Sequence, residues 1–281
     1  MRSDCSRQNP PELQRHYPAH SSPQAFLLAA GAVAAEEGRY PWSGDWYLKI
    51  GATGFLGPEY EGSSKRMLQA APLVSLGKAG SAVRFSSRND NMSYALLDQG
   101  HFRAGAVGKL IFERDEDDSS DLDGLDRPKF GGEVGGFAEV YPTDWMRLRA
   151  EIRQGIRSHH GVVADVAADA FADLGDTVRI SAGPRLTAAS SDYFDAYYGV
   201  NAAESAASGL GTYDPGGGIH SAGLGAEINW MATEKLETGV YAEYRRLMGA
   251  AADSSLVRER GSRDQFLVGV TATYRFDFTL P

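Results

Sequence analysis

Trp46, Leu48, Ile50 and Ala52 alternate with Tyr47, Lys49, Gly51 and Thr53. The same period of two recurs down the chain. Phe102, Ala104, Ala106, Gly108, Leu110 and Phe112 alternate with His101, Arg103, Gly105 and Lys109. Met146, Leu148, Ala150 and Ile152 alternate with Arg147, Arg149, Glu151 and Arg153. Near the end, Phe266, Val268, Val270, Ala272, Tyr274, Phe276 and Phe278 oppose Gln265, Gly269, Thr271, Thr273, Arg275 and Asp277. Successive side chains of a strand point to opposite faces, so each run sets an apolar face against a polar one. The pattern predicts about twelve strands: 46–53, 67–76, 81–88, 92–97, 101–113, 129–140, 145–156, 160–172, 176–187, 219–230, 236–247 and 265–278. The segment 92–97 is the weakest, and ten strands is the alternative count. Several runs have the roughly 9–11 residues that cross a bilayer at a tilt.

The connections sort by length. Short turns fall at 77–80, 98–100, 141–144, 173–175 and 231–235, and long loops at 54–66, 114–128, 188–218 and 248–264. If the strands run up and down, the long loops share one end and these turns the other, apart from two short outer loops near Asn89 and Ser158. Outer-membrane barrels show this asymmetry, with short periplasmic turns and long extracellular loops. Trp46, Tyr141, Trp145, Trp230 and Phe278 lie at strand ends on the short-turn side, where a membrane interface suits an amphipathic ring. A soluble β-sandwich would also alternate, but it accounts for neither the loop parity nor the N-terminal segment.

Composition narrows the choice. Charged residues make up 23% and aromatics 10% of 281, and mean hydropathy is −0.34. No apolar run reaches the ~18 residues of a spanning helix, whereas barrel strands look polar on average because they alternate. Net charge is −9 with basic residues scattered among acidic ones, which excludes a nucleic-acid partner. Cys5 is the one cysteine, so no internal disulfide can form. Residues 25–35 (AFLLAAGAVAA) make a short apolar stretch ending in Ala32-Val33-Ala34, with Arg2, Arg7 and Arg15 upstream. That is the layout of a cleaved export signal, a short buried helix being the alternative. The region before it is long, which a misassigned start codon would explain. The expected organisation is a signal region over 1–35 and a barrel over 36–281.

Candidate chemistry is sparse. Asp115, Glu116, Asp117, Asp118, Asp121, Asp123 and Asp126 form an acidic run, but aligning Gly124 with the glycine of an EF-hand puts Ser119 first and Phe130 last, so the pattern fails. Weak divalent-cation binding and a solvated loop are the two readings. His159 and His160 would point to opposite faces of a strand, and Ser158 beside them lacks a nucleophile elbow, which leaves a loop tip. Gly209, Gly211 and Gly216 to Gly218 lack the Lys-Ser/Thr of a phosphate loop and read as a flexible loop. No catalytic, cofactor or metal site is expected.

The inward face is richer. Arg147, Arg149, Glu151 and Arg153 would neighbour Glu133 and Glu139 on one side and Asp165 and Asp169 on the other; Arg179, Arg185, Glu227, Glu237, Glu243 and Arg245 continue around the wall. Such charges can cross-pair as a rigid polar interior or line a pore that selects solutes.

Three elements carry a family resemblance. Gly57-Pro58-Glu59-Tyr60-Glu61-Gly62-Ser63 comes first, then Gly183-Pro184-Arg185 with Asp192 and Tyr197-Tyr198-Gly199-Val200. Tyr244-Arg245-Arg246-Leu247, Ala251-Ala252-Asp253-Ser254, Gly261-Ser262 and Gln265-Phe266 complete the set. In this order they resemble the MipA/OmpV family of outer-membrane proteins, across the whole mature chain. Two departures are Ser255, where the family often has proline, and Thr279-Leu280-Pro281 beyond the final aromatic. The resemblance implies a non-enzymatic scaffold in the outer membrane, with a lytic transglycosylase and a murein synthase as partners beside membrane lipid. The turns expected to meet them are Tyr141, Pro142, Thr143 and Asp144, and Thr233, Glu234 and Lys235. A small-solute channel using the charged lumen is the alternative function.

Overall fold

The computed structural model describes residues 43–78, 85–112, 119–126 and 128–281. The signal region, residues 81–84 of the third predicted strand and the acidic run 115–118 lie outside these. Among the described residues eleven strands form one sheet: β1 Gly44–Pro58, β2 Arg66–Lys78, β3 Met92–Asp98, β4 Phe102–Ile111, β5 Gly131–Thr143, β6 Met146–Ile156, β7 Val162–Leu174, β8 Val178–Ala189, β9 Gly218–Met231, β10 Leu236–Leu247 and β11 Asp264–Leu280. The order is β2-β1-β11-β10-β9-β8-β7-β6-β5-β4-β3, and every ladder is antiparallel. First and last strands pair over thirteen positions from Gly44↔Leu280 to Leu56↔Val268. The first and last strands are thus neighbours within the sheet, and its edge strands are β2 and β3.

Burial is inverted relative to a soluble protein. Along β6, Arg147, Arg149, Glu151 and Arg153 are buried while Leu148, Ala150, Ile152 and Ile156 are exposed. The same holds around the wall: Leu68, Val74, Leu110, Val134, Val166, Leu224, Val240, Val268 and Val270 face outward and are exposed. An apolar outer surface with a charged interior is stable where the surroundings are hydrocarbon.

The segment predicted as a strand over 81–88 departs from expectation. Its described part does not join the sheet; residues 85–91 pass inside it. Ser86, Ser87, Arg88, Asn89, Asp90 and Asn91 offer no apolar side chain to lipid, and a polar interior is the place where irregular backbone at membrane depth can be solvated by protein.

The long loops at one end also differ from flexible excursions. They hold α1 Ser191–Tyr198, α2 Ala202–Ser208, α3 Gly249–Asp253, α4 Ser255–Arg260 and a 3-10 turn at Ser120–Leu122. Phe194, Tyr198, Leu247, Ala251, Ala252 and Val257 form one buried apolar cluster, and Tyr60, Leu122, Val200, Leu210 and Leu256 a second. Together they make a folded cap. Asn201 starts α2 with a reciprocal capping box to Glu204, and Gly209 ends it at φ 79°. Gly62 holds φ 103° in the β1–β2 connection, so a side chain there would be strained. Of the five aromatics expected at the short-turn interface, Trp145, Trp230 and Phe278 are exposed, whereas Trp46 and Tyr141 are buried. Tyr141 shares the inward parity of Glu139 and donates to the carbonyl of Phe85 at 3.2 Å.

Candidate functional site: a filled polar lumen

Strand register assembles the interior charges. Glu139 pairs with Arg149 and Glu151 with Asp165 as direct neighbours, and Arg147 lies opposite Asp169. Arg147 donates from Nη2 to Asp169 at 2.7 Å, and Arg149 Nη1 reaches Glu139 at 2.8 Å. Arg149 Nε also holds Glu151 at 2.8 Å. Arg153 spreads over three carboxylates: Glu133 at 2.6 Å, Glu151 at 2.5 Å and Asp165 at 2.5 Å. Arg185 closes on Asp169, and two positions before it, at Gly183, a Cβ would sit 1.7 Å from the Ala168 carbonyl oxygen of the adjacent strand. That close approach gives a physical reason for the glycine in Gly183-Pro184-Arg185.

The remaining charges sit around the same wall. Arg179 binds Asp173 at 2.6 Å, and Glu237 accepts from Lys49 at 2.8 Å. Arg245 bridges Glu243 and Glu61, each at 2.8 Å, and Glu227 accepts the backbone N–H of Arg88 at 3.3 Å. Burying ions singly is prohibitive; here Arg147, Arg149, Arg153, Arg185 and Arg245 each hold at least one carboxylate, while Arg149 Nη2 and Arg185 Nε are buried without a hydrogen-bond partner.

The inward segment 85–91 completes the network. Asp90 receives both Nη atoms of Arg147, at 2.6 and 2.8 Å. Asn89 donates to Glu243 at 2.8 Å and Asn91 to Glu151 at 2.7 Å. The Arg88 guanidinium lies 3.8 Å from the Tyr241 ring centroid, and Phe85 stacks on Phe171 at 4.6 Å and 2°. One short segment thus touches β5, β6, β7, β8, β9 and β10 from inside. Between it and β8–β10 a cavity of 20 Å³ remains, lined by Arg88, Arg185, Glu227 and Tyr241 among others. That is space for about one water molecule. Sequence periodicity missed this segment, since a lumen-filling stretch has no face to alternate. Its signature was the unbroken polar run 86–91.

Other sequence candidates do not assemble into a reactive centre. His159 lies in the middle of the β6–β7 loop, as the sequence suggests, but is buried there. Its Nε2 lies 3.2 Å from Glu133, and its Nδ1 accepts the Gly161 N–H at 3.2 Å, so neither nitrogen is left for Ser158. Tyr193 of the cap packs edge-on to His159, and burial with Glu61 nearby lifts its phenol well above the usual value. Asp121 pairs with Lys65 at 3.1 Å. At the short-turn end Pro142, Thr143, Asp144, Thr233, Glu234 and Lys235 are exposed, while Tyr141 is turned inward. The Thr233 hydroxyl accepts the N–H groups of Lys235 and Leu236, fixing that turn.

No curated protein sequence matches the chain. Among solved structures it is similar to a bacterial polysaccharide outer membrane secretin, with 10% identity and a TM-score of 0.41, covering 82% of this chain and 98% of that one. It is also similar to the NanC porin, with 7% identity and a TM-score of 0.41 over 83% and 99% of the two chains. A third is the outer membrane protein OprG from Pseudomonas aeruginosa, with 11% identity, a TM-score of 0.26 and coverage of 85% and 97%. The sequence profile of the MltA-interacting protein MipA family matches residues 50–276, from β1 to β11. With its inverted burial and antiparallel wall, the chain is an outer-membrane β-barrel that belongs to the MipA family.

Proposed function

We propose that this barrel is a non-enzymatic scaffold that ties murein-remodelling enzymes to the outer membrane. The observation that supports it best is the filled lumen, taken together with membership of a family described by an interaction with MltA. A wall braced from within by Arg147, Arg149 and Arg153 is rigid, and its short-turn end offers fixed, solvated turns to a periplasmic partner. The partners are a lytic transglycosylase and a murein synthase. The channel reading is disfavoured by the 85–91 segment, which occupies the interior that solute would need.

The test uses the full mature protein in detergent micelles on a resin, offered the two purified murein enzymes. A variant carrying Gly-Ser sequences in place of 142–144 and 233–235 serves as the comparison, with its fold checked by heat-modifiable gel mobility. The expected result is retention of both enzymes by the native barrel and loss of at least one by the variant. Equal retention by both proteins would remove the turns from the proposal, and no retention by the native barrel would remove the scaffold.

A further inference from the structure

The outer wall at the long-loop end carries a patch that the filled lumen does not use. Arg66 begins β2 opposite Pro58 of β1 and shares its parity with Leu68, Val74 and Leu76, all exposed. Phe266 of β11 shares parity with the exposed Val268 and Val270, and it lies opposite Tyr244 of β10, while Asp264 lies opposite Arg246. All five side chains therefore face away from the lumen, at the upper limit of the apolar band. The Arg66 guanidinium sits 5.7 Å from the Phe266 ring centroid, and among the described residues it meets no carboxylate. Arg246 is more than half exposed and binds Asp264 at 2.7 Å; Asp264 also accepts from Tyr244 at 2.6 Å. A cleft of 220 Å³ opens beside them, lined by Pro58, Ser64, Arg66, Ser262, Asp264 and Phe266 among others.

Two guanidiniums against one carboxylate leave this patch cationic on a chain of net charge −9. The long-loop end of such a barrel faces outward, so the patch lies at the headgroup level of a leaflet built from phosphorylated glycolipid. Guanidinium matches phosphate in a fork of two N–H donors. An arginine already stacked on a ring loses less freedom on binding than a free one. Aromatic side chains flanking basic ones at headgroup depth are a common way of holding an anionic lipid. We propose that Arg66 and Arg246, on either side of Phe266, bind a phosphate of one glycolipid of the lipid A class, seating it against β10, β11, β1 and β2.

The full barrel is incorporated into vesicles containing diphosphorylated lipid A, extracted in mild detergent and weighed by native mass spectrometry. Fully dephosphorylated lipid A and phosphatidylglycerol are run as separate probes. One lipid A should remain on the native protein, with little of either comparison lipid. Retention should fall roughly tenfold, equivalent to ~1.4 kcal/mol, in Arg66→Ala/Arg246→Ala and recover in part in Arg66→Lys/Arg246→Lys. Both positions are exposed, and gel mobility confirms that each variant is folded. Equal retention by the alanine variant, or equal retention of the dephosphorylated lipid, overturns the site. Displacement of the lipid by millimolar inorganic phosphate would assign the site to free phosphate and overturn the lipid.

Discussion

Arg147 is 1% exposed, yet it carries a full charge between Asp90 and Asp169. Such a residue contributes little net stability compared with an apolar pair, but removing it takes the bidentate partner from Asp90 and leaves Asp169 with Arg185 alone. Arg147→Ala should therefore destabilise the barrel by about 3–5 kcal/mol, the usual cost of breaking a buried pair. Arg179→Ala gives the contrast. Arg179 meets Asp173 where the carboxylate is more than half exposed, and an exposed pair is worth at most about 1 kcal/mol. Urea unfolding in lipid vesicles, followed by gel mobility, measures both. Equal midpoints for the two variants would show that the interior ions are solvated as freely as the rim.

At the scale of elements, β6 and β11 were legible because parity and chemistry agree at nearly every position. Arg147, Arg149, Glu151 and Arg153 had to share a face, and once β5 and β7 were placed beside them, so did Glu133, Glu139, Asp165 and Asp169. Periodicity could not reveal what fills the space those faces enclose. Asp90 reaches Arg147 across 57 positions of sequence, and Asn89 reaches Glu243 across 154. No local pattern encodes such contacts. The cap escaped for a related reason: Gly209 and Gly216 to Gly218 suggest flexibility when read alone, while Tyr198, Leu210 and Leu256 supply the packing from distant segments. The inward segment also carries a prediction. Replacing 85–91 with Gly-Ser residues of equal number removes its hold on six strands and lets water reach the lumen charges. In planar bilayers the native protein should be silent and the variant should show discrete conductance steps. A silent, folded variant would mean that the Arg–carboxylate network alone closes the barrel.

The whole molecule joins two regions stabilised by opposite solvents. The wall holds its ions inside and meets lipid outside, so its integrity depends on hydrogen-bond closure and on the surrounding hydrocarbon. The cap is ordinary in the aqueous sense, with Phe194 and Ala251 fully buried and Tyr198 nearly so. They meet where the Tyr198 hydroxyl lies 2.9 Å from Nε2 of His220 on β9, and where the Ser190 N–H donates to the Val162 carbonyl of β7 at 2.9 Å. The wall also lends Val163, Ala189 and Leu247 to the cap's apolar cluster, but these lie at the long-loop ends of β7, β8 and β10, so the cap should open without unfolding the barrel. Truncating a buried phenylalanine typically costs about 3–5 kcal/mol, and Phe194→Ala places that loss in the cluster that joins the cap to the strand ends. Protease should then cut within 188–218 at a concentration that spares the native protein, while the folded barrel band keeps its mobility. Loss of both together would show that cap and wall form one cooperative unit, with the cap serving as a structural closure of the barrel.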